Sequence, residues 1–269
     1  MKTILVPIDF STHSDNALNF ACHMASDLKA KLYILTIQSL PASDDANMAI
    51  ELINTIEVAA KETLNKKVVE LKKAFKYLEI SSHFVFGIPS LTIKEYLASN
   101  SFDLVIMGTR GIDGIRKLLF GSLAQSISQH APCPVLIIHD SNHYESIKRM
   151  AVAIDLETKF GEMHAMLEKI HCFAALFRAK LNLFNIHTQN DKPADDIQFK
   201  LKSGEPIKVE VVHSDSVYKG IEQYCNTNTF ELLILTKHNH TFVEQFFNRN
   251  VFGEILQNKS IPIMVFQFS

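Results

Sequence analysis

Gly108, Gly111, Gly121 and Ser122 follow the apolar run Leu104 to Met107 with the spacing G-x2-G-x9-G-S. Glycine has no Cβ, so a chain leaving a strand at Gly108 can take a left-handed φ or pass close to a ligand. Gly111 keeps side chains out of the loop that follows. Gly121 and Ser122 precede the apolar positions Leu123 and Ile127, where the first N–H groups of a helix and a serine hydroxyl can hold an anion. The chemistry this set supports is phosphate binding. A carboxylate stands at another strand end, because Asp9 closes the run Ile4 to Ile8. If the two strands are neighbours, Asp9 and the glycine loop line one crevice at the carboxyl ends of a parallel sheet, where ligands bind in open α/β folds. Asp9 could then accept a hydrogen bond from an adenine amino group or a ribose hydroxyl while the loop holds phosphates. The alternative is that Asp9, followed by Ser11 and Thr12, caps the next helix.

The elements that must position these residues alternate. Strands are predicted over Ile4 to Ile8, Leu32 to Ile37, Ser82 to Phe86, Leu104 to Met107 and Val135 to Ile138. Between them, Ala17, Leu18, Ala21, Met24, Ala25 and Leu28 form one helical stripe and Leu64, Val68, Leu71, Phe75 and Leu78 another. Shorter helices carry Leu91, Ile93 and Leu97, and then Leu123 and Ile127 as far as about His130, where Pro132 and Pro134 stop the last one. Strands alternating with helices predict an α/β fold with a parallel sheet covered on its faces.

The pattern is written twice. ILVPIDFS from Ile4 matches MAVAIDLE from Met150, with Asp155 standing where Asp9 stands, at an offset of 146 residues. FDLVIMGTRG from Phe102 matches FELLILTKHN from Phe230, and PVLII from Pro134 matches PIMVF from Pro262, both at an offset of 128. Duplication accounts for these matches. The boundary is placed within Ser141 to Ile147, giving domains 1–143 and 144–269.

Lys and Arg number 27 against 29 Asp and Glu, a formal charge of -2, so no strong field favours nucleic acid or an anionic membrane. With no apolar run of membrane-spanning length and a short N-terminal apolar stretch ending at Asp9, a cytoplasmic protein without signal peptide or membrane partner is expected. Cys22, Cys133, Cys172 and Cys225 include no C-x2-C pair, and buried apolar roles are expected for them. His238 and His240 with Glu244 lack the spaced partners of a metal site, and no metal ligands are assigned. The chain has neither a Walker G-x4-G-K-[ST] nor a G-x-G-x-x-G after the first strand nor a G-x-S-x-G. Fast nucleotidase, dinucleotide oxidoreductase and serine hydrolase chemistry are therefore disfavoured.

ILVPIDFS, FDLVIMGTRG, the G-x2-G-x9-G-S spacing and the closing APCPVLII together resemble the universal stress protein family in its tandem form, strongly from Met1 to Asp140 and weakly from Ile147 onward. The resemblance implies two tandem five-stranded parallel-sheet domains, Rossmann-like and similar to adenine nucleotide α-hydrolases. It also implies binding of ATP, with or without Mg2+, or of another adenine nucleotide. Carried over by position, Pro7 and Asp9 flank the adenine, backbone around Ile37 and Gln38 shapes its pocket, and Met107 leads into the loop. Gly108, Arg110, Gly111, Gly121 and Ser122 take ribose and phosphates. The resemblance further implies that Val135 to Ile138 and Ile263 to Phe266 pair in an intrachain pseudo-dimer, and it admits a homodimer of chains.

The second half departs from this pattern. At the offset of 128, Gly108 becomes Thr236, Gly111 becomes Asn239, Gly121 becomes Arg249 and Ser122 becomes Asn250, while Gly253 aligns with Gln125. The second half is therefore not expected to bind ATP in the same way. The drop from 146 to 128 removes 18 residues, most of one helix, between its second and third strands. Either one sheet face is left exposed for a partner, or Ile197, Phe199 and Leu201 cover it as an extended segment. Three functions are compatible with the sequence: a stress-response or regulatory module switched by ATP, a slow ATP hydrolase or phosphotransferase using Arg110, Arg116 or Lys117, and a nucleotide-independent binding module using the second half.

Overall fold

The computed structural model describes residues 1–42, 44–109, 122–156, 158–188, 197–202, 204, 206–237 and 261–267. They fall into two units, the first ending at Asp140 and the second beginning at Ser141.

The first unit runs β1 (Thr3–Ile8), α1 (Thr12–Leu28), β2 (Lys31–Gln38), α2 (Ala46–Ala74), β3 (Ile80–Phe86), α3 (Pro89–Ser99), β4 (Leu104–Gly108), α4 (Ser122–His130) and β5 (Val135–Ile138). All neighbouring strands are parallel, in the order β3-β2-β1-β4-β5. The central strands are apolar on both faces, as a sheet covered on both sides requires, and Ile4, Leu5 and Val6 are fully buried. In α1 the predicted stripe is the buried one: Ala17, Leu18, Ala21, Met24 and Ala25 face the core. Its N-cap is Ser11, whose side chain accepts from the Ser14 N–H.

The second helix differs from the sequence expectation. It starts at Ala46, where Asp45 caps it by accepting from the N–H groups of Asn47 and Met48, and ends at Ala74, ahead of Phe75 and Leu78. Its first half leaves Met48, Ile50 and Val58 exposed, so apolar residues there mark no single face.

The second unit runs β6 (Arg149–Ala153), α5 (Phe160–Phe177), β7 (Lys180–His187), β8 (Gln198–Lys200), β9 (Pro206–His213), α6 (Val217–Thr227), β10 (Leu232–Lys237) and β11 (Ile263–Gln267). Its parallel strands follow the same order, β9-β7-β6-β10-β11, and β8 adds an antiparallel strand to β9. An exposed sheet face is not what replaces the missing helix. Phe199 and Leu201 are each 3% exposed, and Phe199 stacks on Phe160 with ring centroids 5.9 Å apart. His164 Nε2 lies 3.0 Å from the Lys200 carbonyl, and the Lys202 N–H donates to Glu168 Oε1 at 2.7 Å, tying the segment to α5.

The shortening is also larger than 18 residues. The Gly87 N–H donates to the Gln38 carbonyl, and the Ser214 N–H donates to the His187 carbonyl, both at 3.0 Å. These equivalent bonds span 87 − 38 = 49 and 214 − 187 = 27 residues, a difference of 22. The offsets undercount it largely because the stretch from Asp155 to the α5 C-cap Arg178 is three residues longer than that from Asp9 to the α1 C-cap Lys29. Both C-caps are left-handed, with φ of 52° at Lys29 and 55° at Arg178. Cys22, Cys133 and Cys225 are buried, whereas Cys172 is exposed, against expectation. Burial pushes the Cys22 and Cys133 thiols up to about 12, so neither is a thiolate at neutral pH.

One carboxylate clamps the start of the first strand in each unit. Asp103 Oδ2 accepts from the N–H groups of Lys2 at 2.7 Å and Thr3 at 2.9 Å, and Glu231 Oε2 accepts from those of Lys148 at 3.0 Å and Arg149 at 2.7 Å. Burial pushes both carboxyls up, but these donations, with the Thr3 hydroxyl and the Arg149 guanidinium, outweigh it and hold both below their ordinary range. A folded pKa below the unfolded one gives stability that is present above the unfolded value, about 4, and lost as pH falls through the folded value. Urea midpoints are therefore expected to drop as pH falls below about 5. The drop should be shallower in an Asp103→Asn, Glu231→Gln double variant; an identical slope would remove these carboxylates from the account.

Candidate nucleotide site

The strand order reverses between β1 and β4, and the ladder across this seam stops short of its carboxyl end. Strand β1 pairs with β2 through to Ile8, opposite Thr36, but its pairing with β4 is confined to Ile4 with Leu104 and Leu5 with Val105. The Thr3 carbonyl accepts from the Asp103 N–H, so alternate residues Thr3, Leu5 and Pro7 turn their backbone groups toward β4. Pro7 has no N–H to give, and the ladder stops short of it. A proline in a central strand thus leaves the ladder unmade at the carboxyl end of this pair, where ligands bind in open α/β sheets.

Asp9 and Gly108 stand at the same end of these two neighbouring strands, as the crevice requires. Asp9 Oδ1 accepts from the Ser11 N–H at 3.1 Å, and the Asp9 N–H donates to Ser14 Oγ at 3.3 Å. The cap of α1 is Ser11 rather than Asp9, and Asp9 braces the turn before it. Between them Phe10 has a φ of 62°, a left-handed conformation that a phenylalanine adopts only where its surroundings enforce it. Ile37 and Gln38 end β2 beside this turn, Ile37 half-buried and Gln38 exposed. Met107 is buried with its side chain in the core, and Ser122 is exposed at the first position of α4. Arg110, Gly111 and Gly121 lie outside the described residues, as do His238, His240, Glu244, Asn239, Arg249 and Asn250.

Gly108 is required by packing within the fold and not by its own backbone conformation. Its φ is not left-handed: Gly204 is the one such glycine among the described residues. A Cβ at Gly108 would sit 2.8 Å from the His13 carbonyl oxygen and 3.0 Å from its carbon, so the missing side chain lets the first turn of α1 pack onto β4. That turn is held over the strand ends by a hydrogen bond between His13 Nδ1 and Asp140 and by Asn16 Nδ2 donating to the His139 carbonyl at 2.9 Å.

The second unit continues the equivalent ladder. Ala153 takes the place of Pro7, and β6 pairs with β10 continuously from Met150 opposite Leu232 to Ala153 opposite Leu235. Thr236, in the place of Gly108, is buried and donates its hydroxyl to the Ala153 carbonyl at 3.0 Å. Thr236→Ala removes this side-chain bond and should destabilise the second unit by about 0.5–1.5 kcal/mol. Thermal unfolding checks this, and an unchanged transition would show that the bond contributes nothing.

The profile of the universal stress protein family matches residues 1–139, just over half of the chain. The chain belongs to the universal stress protein family. It is 29% identical over 143 residues to a universal stress protein of Methanocaldococcus jannaschii, covering 51% of this chain and 81% of that one. It is 28% identical over 145 residues to universal stress protein YxiE of Bacillus subtilis, covering 50% and 97%. The crystal structure of a universal stress protein from Archaeoglobus fulgidus shares the fold over 99% of this chain and 96% of its own, with a TM-score of 0.71 and 19% identity.

In this universal stress protein, sequence reasoning passed over two threonines. Thr36, 2% exposed near the end of β2, and Thr109, fully buried after β4, carry hydroxyls without a hydrogen-bond partner. Buried unpaired hydroxyls are uncommon, and their place at the carboxyl ends of the strands is the signal that marks them. In sequence, a threonine at a strand end is too ordinary to stand out. Among the described residues, no helix is long and apolar enough to cross a membrane.

Proposed function

We propose that this chain is a stress-response or regulatory protein that binds an adenine nucleotide, ATP, in its first unit and not in its second. The observation that carries this reading is the contrast between the two seams: the ladder stops before Pro7 and Gly108 in the first, and in the second it continues to Ala153, with the Thr236 hydroxyl bonded across it. Asp9 and the ends of β1 and β2 at Pro7, Ile37 and Gln38 would hold the adenine and ribose. Gly108, Arg110, Gly111, Gly121 and Ser122 would hold the phosphates, with Ser122 at the start of α4. The second unit is a diverged copy of the first, sharing its strand order, its left-handed first-helix cap and its strand-clamping carboxylate.

ATP bound to the folded state alone raises stability by RT ln(1 + [L]/Kd), about 2.7 kcal/mol at a hundredfold excess over Kd. Thermal unfolding with increasing ATP tests the reading. A transition that rises with ATP supports it, and one that ignores ATP at millimolar concentration removes it.

A further inference from the structure

We propose that the second unit carries a binding site for a borderline divalent transition-metal ion of the Zn2+ class, chelated by His187 and His213. These residues end the adjacent parallel strands β7 and β9 and are paired in register. Paired positions on strands about 4.8 Å apart send their side chains to the same face at chelating distance. Their imidazole centroids are 5.1 Å apart with the ring planes at 74°. Two imidazoles on one tetrahedral Zn2+, at Zn–N distances of about 2.0–2.1 Å, have centroids about 5 Å apart.

The rings border a cavity of about 300 Å3, also lined by Thr188, Ser214 and Asp215. Among the described residues no group of three His, Cys, Asp or Glu side chains is placed to hold a metal, and the Asp215 carboxylate is engaged by Lys219 Nζ at 3.2 Å. The site is therefore a two-ligand chelate whose other positions fall to water or a small anion in the cavity, and imidazole donors favour Zn2+, Cu2+ and Ni2+ over Mg2+ or Ca2+. In the first unit the same two register positions hold Gln38 and Phe86, which cannot form this chelate.

Zn2+ titrated calorimetrically into the whole chain tests the site, independently of whether ATP binds. His187→Gln, which installs the first unit's residue, and His213→Gln should each weaken one Zn2+ site at least tenfold. Their combination should add little, because one imidazole alone chelates poorly. His143→Gln, an exposed control, should change nothing. Unchanged Zn2+ affinity and stoichiometry in the folded double variant would overturn the proposal. If the variants fail to fold, substoichiometric Cu2+ added to the wild-type protein decides: it should broaden the imidazole NMR signals of His187 and His213 first among the 12 histidines. Earlier broadening elsewhere would overturn the site.

Discussion

Replacing Gly108 with alanine is expected to destabilise the first unit by about 1–3 kcal/mol, and replacing it with valine by more. The atoms a Cβ would meet, at 2.8 and 3.0 Å, are the carbonyl oxygen and carbon of His13, which cannot rotate aside as a side chain end would. Neither can α1 slide away. Its first turn is held by the Ser11 cap, the His13–Asp140 bond and the Asn16 contact to His139, and Asp15 is bound by Lys67 Nζ of α2 at 2.6 Å. The strain must therefore be shared between the helix and the central strand β4. Urea unfolding followed by far-ultraviolet circular dichroism measures the loss. An unchanged midpoint in Gly108→Ala would mean that α1 is not seated on β4 as described.

Gly121→Val is expected to lower ATP affinity at least a hundredfold, about 2.7 kcal/mol, without lowering the unfolding temperature. Gly121 immediately precedes in sequence Ser122, the first residue of α4, whose start is the proposed phosphate site. A β-branched side chain there would occupy the phosphate's place. Asn250→Ala, at the aligned position of Ser122 in the second half, should leave the affinity unchanged. Together these variants separate the site from the fold, because a Cβ at Gly108 also meets the backbone of α1. Full ATP affinity in Gly121→Val would remove the glycine loop from the proposed site.

Much of this was legible in the chain because burial on both faces writes a strand as a continuous apolar run. Ile4 to Ile8, Leu104 to Met107 and Val135 to Ile138 are such runs: the first two are interior strands, and the third, last in its unit's order, is buried throughout. The stripe of α1 was legible because one face packs on the sheet. The first half of α2 was not, since exposed apolar residues leave no periodicity to read. Strand β8, three residues long beside a polar stretch, was legible only as one of two alternatives, the extended segment through Ile197, Phe199 and Leu201. Gly108 shows a subtler limit. Close approach to a phosphate and close approach to a helix backbone both demand a missing Cβ, so residue type alone does not distinguish them. Pro7 and Thr236 were ambiguous for a related reason. What each does to a ladder depends on the strand beside it, and that neighbour lies about a hundred residues away in the first unit and 83 in the second.

The central claim, a nucleotide site at the first seam and none at the second, is tested most directly by calorimetric titration of ATP into protein freed of any nucleotide that co-purifies with it. One ATP per chain, lost in Gly121→Val, is the predicted result. No binding to nucleotide-free protein, or two equivalent ATP molecules per chain, would contradict it.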